Sequence, residues 1–252
     1  MADITALLAR LAPLPPADFS EFGEIEIKPI SRIQKLTGSF LGRNWVTIPH
    51  VTHHDEVDVT AIESARRAWN ADHADDKITM VIVLMKLLAE ALQAFPQFNA
   101  SLSEDGNSIV FKKYFNIGVA VDTPGGLLVP VITGCDKKPL PELAREVATI
   151  AAKARAKGLS MKEMSGSSMC ISSLGHIGGT AFTPIINAPD LAILGVTRTQ
   201  ERPTRGPNDE IIWRQMLPLS LSYDHRLING ADAARFVAFI GDRLKEEKRS
   251  LF

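Results

Sequence analysis

The stretch LSYDHRLING (221–230) sets a histidine between an acid and an arginine, directly after an apolar run and ahead of an Asn-Gly pair. Neutral imidazole is a usable proton acceptor near neutral pH. A strand end that feeds a turn can present such a side chain to a cleft. His225 is therefore a candidate general base. A second stretch, ISSLGHIGG (171–179), places Ser172 and Ser173 at another expected strand end. A hydroxyl there suits hydrogen-bond donation to a developing oxyanion. Base and hydroxyl together are compatible with acyl transfer and do not by themselves establish it.

Other chemistry-bearing residues read as structural. His50, His53 and His54 crowd one expected strand, but no further cluster at ligand spacing accompanies them, and alternation sends His53 and His54 to opposite faces. No metal site is expected. His73 sits in a polar helix end and His176 in a glycine-rich loop. LGHIGG and TPGGL match neither GxGxxG nor GxxxxGK[ST] and read as turns where the backbone passes close to something. No GxSxG elbow surrounds the serines. Cys135 and Cys170 form no CxxC pair or disulfide framework, which suits a reducing, cytosolic setting.

These residues need a frame, and 252 residues with 45% hydrophobic and 23% charged content can bury a substantial core. The formal net charge of −1 gives no electrostatic case for nucleic acid or an acidic membrane. The greasiest segment, 78–92, is interrupted by Lys86 and Glu90 and reads as a buried helix rather than a membrane span. Periodicity predicts helices over 3–11, 31–45, 61–71, 78–95, 140–158 and 231–248. Alternation predicts strands over 23–30, 46–60, 108–123, 127–132, 167–175, 190–198 and 210–224, with a turn at 124–126. The fold class that follows is α/β: a mixed sheet flanked by helices. Residues 1–18 read as an N-terminal arm or linker remnant and 19–252 as one domain.

VAVDTPGGLLVPVI, CISSLGHIGGTAFTPIINAPDLAILGV and LSYDHRLINGADAARF, in this order along the chain, resemble the catalytic domain of the dihydrolipoamide acyltransferases, the core components of 2-oxoacid dehydrogenase complexes. The likeness runs from about Phe19 to the C-terminus. GEIEIKPISRIQKLTG and WVTIPHVTHHDEVDVT look most like the acetyltransferase branch. The resemblance implies a chloramphenicol-acetyltransferase-like α/β sandwich that forms a homotrimer and stacks into a larger hollow core, a cubic 24-mer being the expected size. The apolar end 250–252 is one candidate trimer-to-trimer contact. The implied reaction moves an acyl group, acetyl by preference, between dihydrolipoamide and coenzyme A, with both substrates meeting in a channel between subunits. A lipoyl domain would supply the lipoyl group, since residues 1–18 are too few to form one. The 2-oxoacid dehydrogenase and dihydrolipoamide dehydrogenase components are the implied partners, in the cytoplasm.

Carried over by motif, His225 is the base, Ser172 of a neighbouring subunit the oxyanion donor, and Ser173 the fallback. Asn229 stands where most family members have aspartate and is read as a positioning residue. Asp122, Phe182 and Leu194 resemble residues beside the lipoyl-thiol entrance, and Arg66 resembles an arginine near the coenzyme A nucleotide. Arg226 is expected to order the turn. Two other readings compete: a non-catalytic scaffold of the same complex, and an antibiotic O-acetyltransferase on the same fold.

Overall fold

The computed structural model describes residues 17–74 and 76–245; the predicted helix over 3–11 and residues 250–252 lie outside them. Helix α1, Arg32–Thr47, opens with a capping box: the Ser31 hydroxyl accepts from the Gln34 amide, and the Gln34 side chain accepts from the Ser31 amide. Strand β1 (His50–Asp58) leads to α2 (Thr60–Asp72) and α3 (Met80–Ala94), and the last stops just ahead of Pro96. Short strands follow: β2 (Ala100–Leu102), β3 (Ile109–Phe111), β4 (Ile117–Val119), β5 (Val121–Thr123), β6 (Gly126–Leu128) and β7 (Val131–Ile132). Helix α4 (Leu140–Lys157) ends at Gly158, whose φ of 75° suits glycine. Strands β8 (Met169–Ser173), β9 (Ala192–Val196), β10 (Gln200–Arg205) and β11 (Ile211–Asp224) precede helix α5 (Gly230–Lys245).

The main sheet runs β1-β11-β9-β8-β4-β7, with β10 paired to β11 as a hairpin. Strands β4, β8 and β9 are parallel, and β11 runs antiparallel to both β9 and β1. This direction matters for the site: the C-terminal end of β11 lies beside the N-terminal end of β9, away from the C-terminal end of β8.

Alternation divides the sheet into two faces. One carries Met169, Ile171, Leu194, Val196, Leu217, Leu219, Leu221 and Tyr223 into the main core, where α5 packs over β1 and β11 and α3 over β8. Phe98 and Phe236 stack there with centroids 4.2 Å apart. The opposite face carries Cys170 and Ser172 on β8, Ile193 and Gly195 on β9, and Ser220, Ser222 and Asp224 on β11. A small cluster of Ile48, Cys170, Ile186 and Ile193 covers part of it.

Three sequence expectations need correction. Residues 23–30 alternate like a strand, yet they pair with no strand among the described residues, and Ile25, Ile27 and Ile30 stay exposed. The stretch 108–123 is three strands rather than one, because the chain leaves the β2–β3 hairpin after Phe111 and re-enters the main sheet at Ile117. Asn99 holds that crossing by donating to the carbonyls of Lys112 and Tyr114. The hairpin strand β10 went unread because QERPTR is polar and holds a proline, the composition of a sheet edge.

Candidate active site

Strand β11 delivers His225 at a turn built from its immediate neighbours. Asp224 is 1% exposed, and its carboxylate accepts the Arg226 amide at 3.0 Å and guanidinium N–H groups at 2.6–3.1 Å. The Leu227 and Ile228 amides donate to the Asp224 carbonyl at 3.1 and 3.0 Å. These bonds to Asp224 raise the Arg226 pKa and keep it cationic, so Arg226 does order the turn. The His225 amide donates to the Pro49 carbonyl at 3.1 Å. Its imidazole is exposed, 5.9 Å from the Tyr223 ring between centroids. Four residues on, the Asn229 side-chain oxygen accepts the Asp232 amide at 2.9 Å and caps α5. Aspartate would make the same bond, so the asparagine keeps this positioning contact without the charge.

The serines separate by face. Ser172 pairs in register with Gly195 and shares the face of Cys170 and Ile193, whereas Ser173 pairs with Val196 and accepts the Gly175 amide at 3.4 Å. Phe182 lies against Gly195: a Cβ there would come within 2.8 Å of the Phe182 ring and 3.2 Å of the Ser220 carbonyl. Glycine is therefore required, and its absent side chain makes room for an apolar wall beside Ser172. Arg198 staples the following loop by donating to the carbonyls of Gly175, His176 and Ile177 at 3.0–3.4 Å. Asp122, exposed on the β5–β6 hairpin, belongs to this same end, because Ala120 donates to the Ile171 carbonyl as β4 leaves the sheet beside β8.

One chain thus holds two half-sites. Ser172 is level with Gly195 and Ser220, while His225 follows Asp224, four residues further along β11. At ~3.3 Å per residue and ~4.8 Å per strand, that is about 13 Å along the sheet and about 10 Å across it. Ser172, Phe182 and Asp122 share one end; His225 and Asn229 share the other.

Two expected site residues are engaged within the chain itself. Leu194 has no exposed surface and points into the main core, so the lining face of β9 belongs to Ile193 and Gly195. Arg66 spends its donors inside the chain, two on the Glu63 carboxylate and one on the Ile78 carbonyl, each at 2.7 Å. Sequence reading also missed Gly195 and His50; a glycine inside the apolar run AILGV is the signal that marks a close approach.

Neither cysteine is a nucleophile here. Burial pushes the Cys135 thiol up to about 11 and, with the Asp190 carboxylate beside it, raises Cys170 well above its ordinary value. Among the described residues no group of three or more His, Cys, Asp or Glu is placed to hold an ion. No described helix is long and apolar enough to cross a membrane.

The family model for the catalytic domain of 2-oxoacid dehydrogenases acyltransferases matches residues 22–252. The chain belongs to this family. Its relatives include the dihydrolipoyllysine-residue acetyltransferase component of the pyruvate dehydrogenase complex of Haemophilus influenzae, 49% identical over 243 residues that cover 95% of this chain and 43% of that protein. The corresponding protein of Azotobacter vinelandii is 48% identical over 238 residues, covering 91% and 36%. This chain spans less than half the length of these curated relatives.

Among solved structures, the Azotobacter vinelandii dihydrolipoamide acetyltransferase, studied for the roles of a serine, a histidine and an asparagine in its mechanism, gives a TM-score of 0.90 at 48% identity, covering 96% of this chain and 99% of that one. The cubic core of a pyruvate dehydrogenase multienzyme complex gives 0.91 with the same identity and coverage. A chloramphenicol acetyltransferase, 14% identical, gives 0.55 over 82% of this chain and 94% of that one. That last likeness speaks to fold alone, and the acyltransferase chain has the chloramphenicol-acetyltransferase-like α/β fold.

Proposed function

We propose that this domain transfers an acetyl group between dihydrolipoamide and coenzyme A at a site shared by two copies of the chain. The observation that carries the reading is the separation of His225 from Ser172 on one sheet, which a neighbouring copy can remedy and a single chain cannot. His225 is the base, Ser172 of the neighbour the oxyanion donor, and Asn229 a positioning residue that caps α5. Asp122 and Phe182 border the dihydrolipoamide side.

A thiol with a pKa of about 8.5 is only a few per cent ionised at neutral pH. His225 takes the proton from the coenzyme A sulfur as that sulfur attacks the thioester carbonyl of acetyl-dihydrolipoamide. A carbon–sulfur bond forms, and the carbonyl electrons move to oxygen, which the Ser172 hydroxyl stabilises. Collapse re-forms the carbonyl and breaks the bond to the lipoyl sulfur, and that thiolate recovers the proton from His225. Acetyl-coenzyme A and dihydrolipoamide leave. The buried cysteines, held as thiols, support direct transfer without an acyl-enzyme.

The expected assembly is a trimer stacked into a cubic 24-mer, and the likeness to the cubic core of a pyruvate dehydrogenase multienzyme complex supports a larger core. A lipoyl domain would bring the acetyl group, and 2-oxoacid dehydrogenase and dihydrolipoamide dehydrogenase components would work beside it in the cytoplasm. The test is acetyl transfer from acetyl-coenzyme A to free dihydrolipoamide by wild type and His225→Ala in parallel. Turnover by wild type with a loss of at least about 10² in the variant supports the assignment. A trimeric but inactive wild type supports the scaffold reading, and equal rates exclude His225 as base.

A further inference from the structure

We propose that His50, through a ring clamped between two backbone groups, is the positioning residue that ties the two half-sites of one chain together. The proposal rests on the acetyl-transfer reading and adds to it a residue outside the reacting groups. His50 opens β1 opposite Asp224. Its ring is half-buried, with the Trp45 ring 5.5 Å away. Nδ1 lies 2.8 Å from the Ile48 carbonyl oxygen, and Nε2 lies 3.0 Å from the Ile186 amide nitrogen. An amide N–H can only donate, so Nε2 accepts with its lone pair. The ring proton therefore sits on Nδ1 and is donated to Ile48. Both partners are backbone, and together they select one neutral tautomer.

The consequence reaches both ends of the site. Residues 180–187 run without strand or helix, so their buried backbone groups need partners from elsewhere. At the fully buried Ile186, His50 takes the N–H, and the Asn44 side-chain amide donates to the C=O at 2.9 Å. Four residues earlier in that segment stands Phe182, the wall beside Gly195 and Ser172. On the other side, the carbonyl of Pro49, the residue bonded to His50, receives the His225 amide. One imidazole thus steadies the segment that carries Phe182 and the backbone against which the His225 turn rests. In a shared-site trimer these are parts of two different active sites.

The test compares wild type with His50→Phe, His50→Gln and His50→Asn by steady-state transfer from acetyl-coenzyme A to dihydrolipoamide. It is joined by solid-state ¹⁵N NMR of the histidine-labelled assembled protein. Phenylalanine fills the ring space and makes neither bond. It should lower kcat about 10- to 100-fold, because small displacements of a positioned group carry losses of that order, and it should raise KM for dihydrolipoamide but not for coenzyme A. Glutamine reaches the Nε2 position with an oxygen that can accept from Ile186, so it should restore the dihydrolipoamide KM. Asparagine reaches only the Nδ1 position and should not. If His50→Phe does not assemble, the contrast between glutamine and asparagine decides. In wild type, the ring signal lost in His50→Gln should show a protonated Nδ1 and a bare Nε2.

An Nε2–H tautomer at His50 overturns the proposal. So do kcat and both KM values unchanged in an active wild-type background. A wild type that transfers no acetyl group refutes the acetyl-transfer reading itself, and this proposal with it.

Discussion

The two ends of the central sheet are held in different ways. At the end of β11 the contacts are mostly local, the bond from His225 to Pro49 apart: Asp224 grips Arg226 two residues on, its carbonyl receives Leu227 and Ile228, and Asn229 caps the helix that follows. At the end of β8 the contacts come from far along the chain. Arg198 reaches back to the carbonyls of 175–177, Phe182 folds over Gly195, and residues 180–187 hang from His50 and Asn44. A base needs a fixed direction, which a short cross-braced turn supplies. An oxyanion donor beside a substrate wall needs several segments to converge. The first end accordingly depends on distant segments mainly through Pro49, and the second depends on several of them.

The largest expected effect separates the ends by chemistry. His225→Ala should reduce kcat by about 10²–10⁴, and Ser172→Ala by about 10²–10³. Ser173→Ala, on the opposite face of β8, should cost less than about tenfold by the same comparison. A large loss at Ser173 with none at Ser172 would move the oxyanion donor to the helix side of the sheet.

Next comes the brace beneath the base. Arg226→Ala leaves the buried Asp224 carboxylate with the backbone alone. Denaturant unfolding should then show about 1–3 kcal/mol of lost stability, less than a fully buried pair because the guanidinium is partly exposed. Asn229→Ala should cost about 1 kcal/mol through the lost cap, whereas Asn229→Asp keeps it. If alanine and aspartate lower stability equally, the cap is not what Asn229 supplies.

The smallest effect is an absence. A chromogenic thiol reagent added to the native protein should find no fast-reacting cysteine, since Cys135 sits at about 11 and Cys170 is buried against Asp190. Both should react once guanidinium unfolds the chain. A fast-reacting native thiol would reopen an acyl-cysteine route at the serine end, because Cys170 lies two residues before Ser172 on the same face.

What could be read from the sequence follows the same division. The β11–turn–α5 unit was legible because its strand alternation, turn residues and cap lie within one continuous stretch. Helices α1, α3 and α4 were legible for the same reason, through the spacing of apolar residues along one stretch. For Leu194 the family motif gives only a place along β9, and the register with Ile171 tells which face it occupies. The bonds of Arg66 to Glu63 and the Ile78 carbonyl were not legible without coordinates. His50 looked like one of three surface histidines, since Ile186 is 136 residues away. The short strands β2 and β10 depend on partners across a hairpin more than on their own composition.

The most direct test of a site shared between chains is complementation in mixed assemblies. His225→Ala and Ser172→Ala proteins, each inactive alone, are unfolded together, refolded and assayed for acetyl transfer to dihydrolipoamide. If one chain supplies the base and its neighbour the serine, random mixing leaves about a quarter of the sites with both residues intact. Activity should then recover to about a quarter of a wild-type sample treated in the same way. A mixture that assembles fully yet stays as inactive as its two components would contradict the shared site and require both residues to come from one chain.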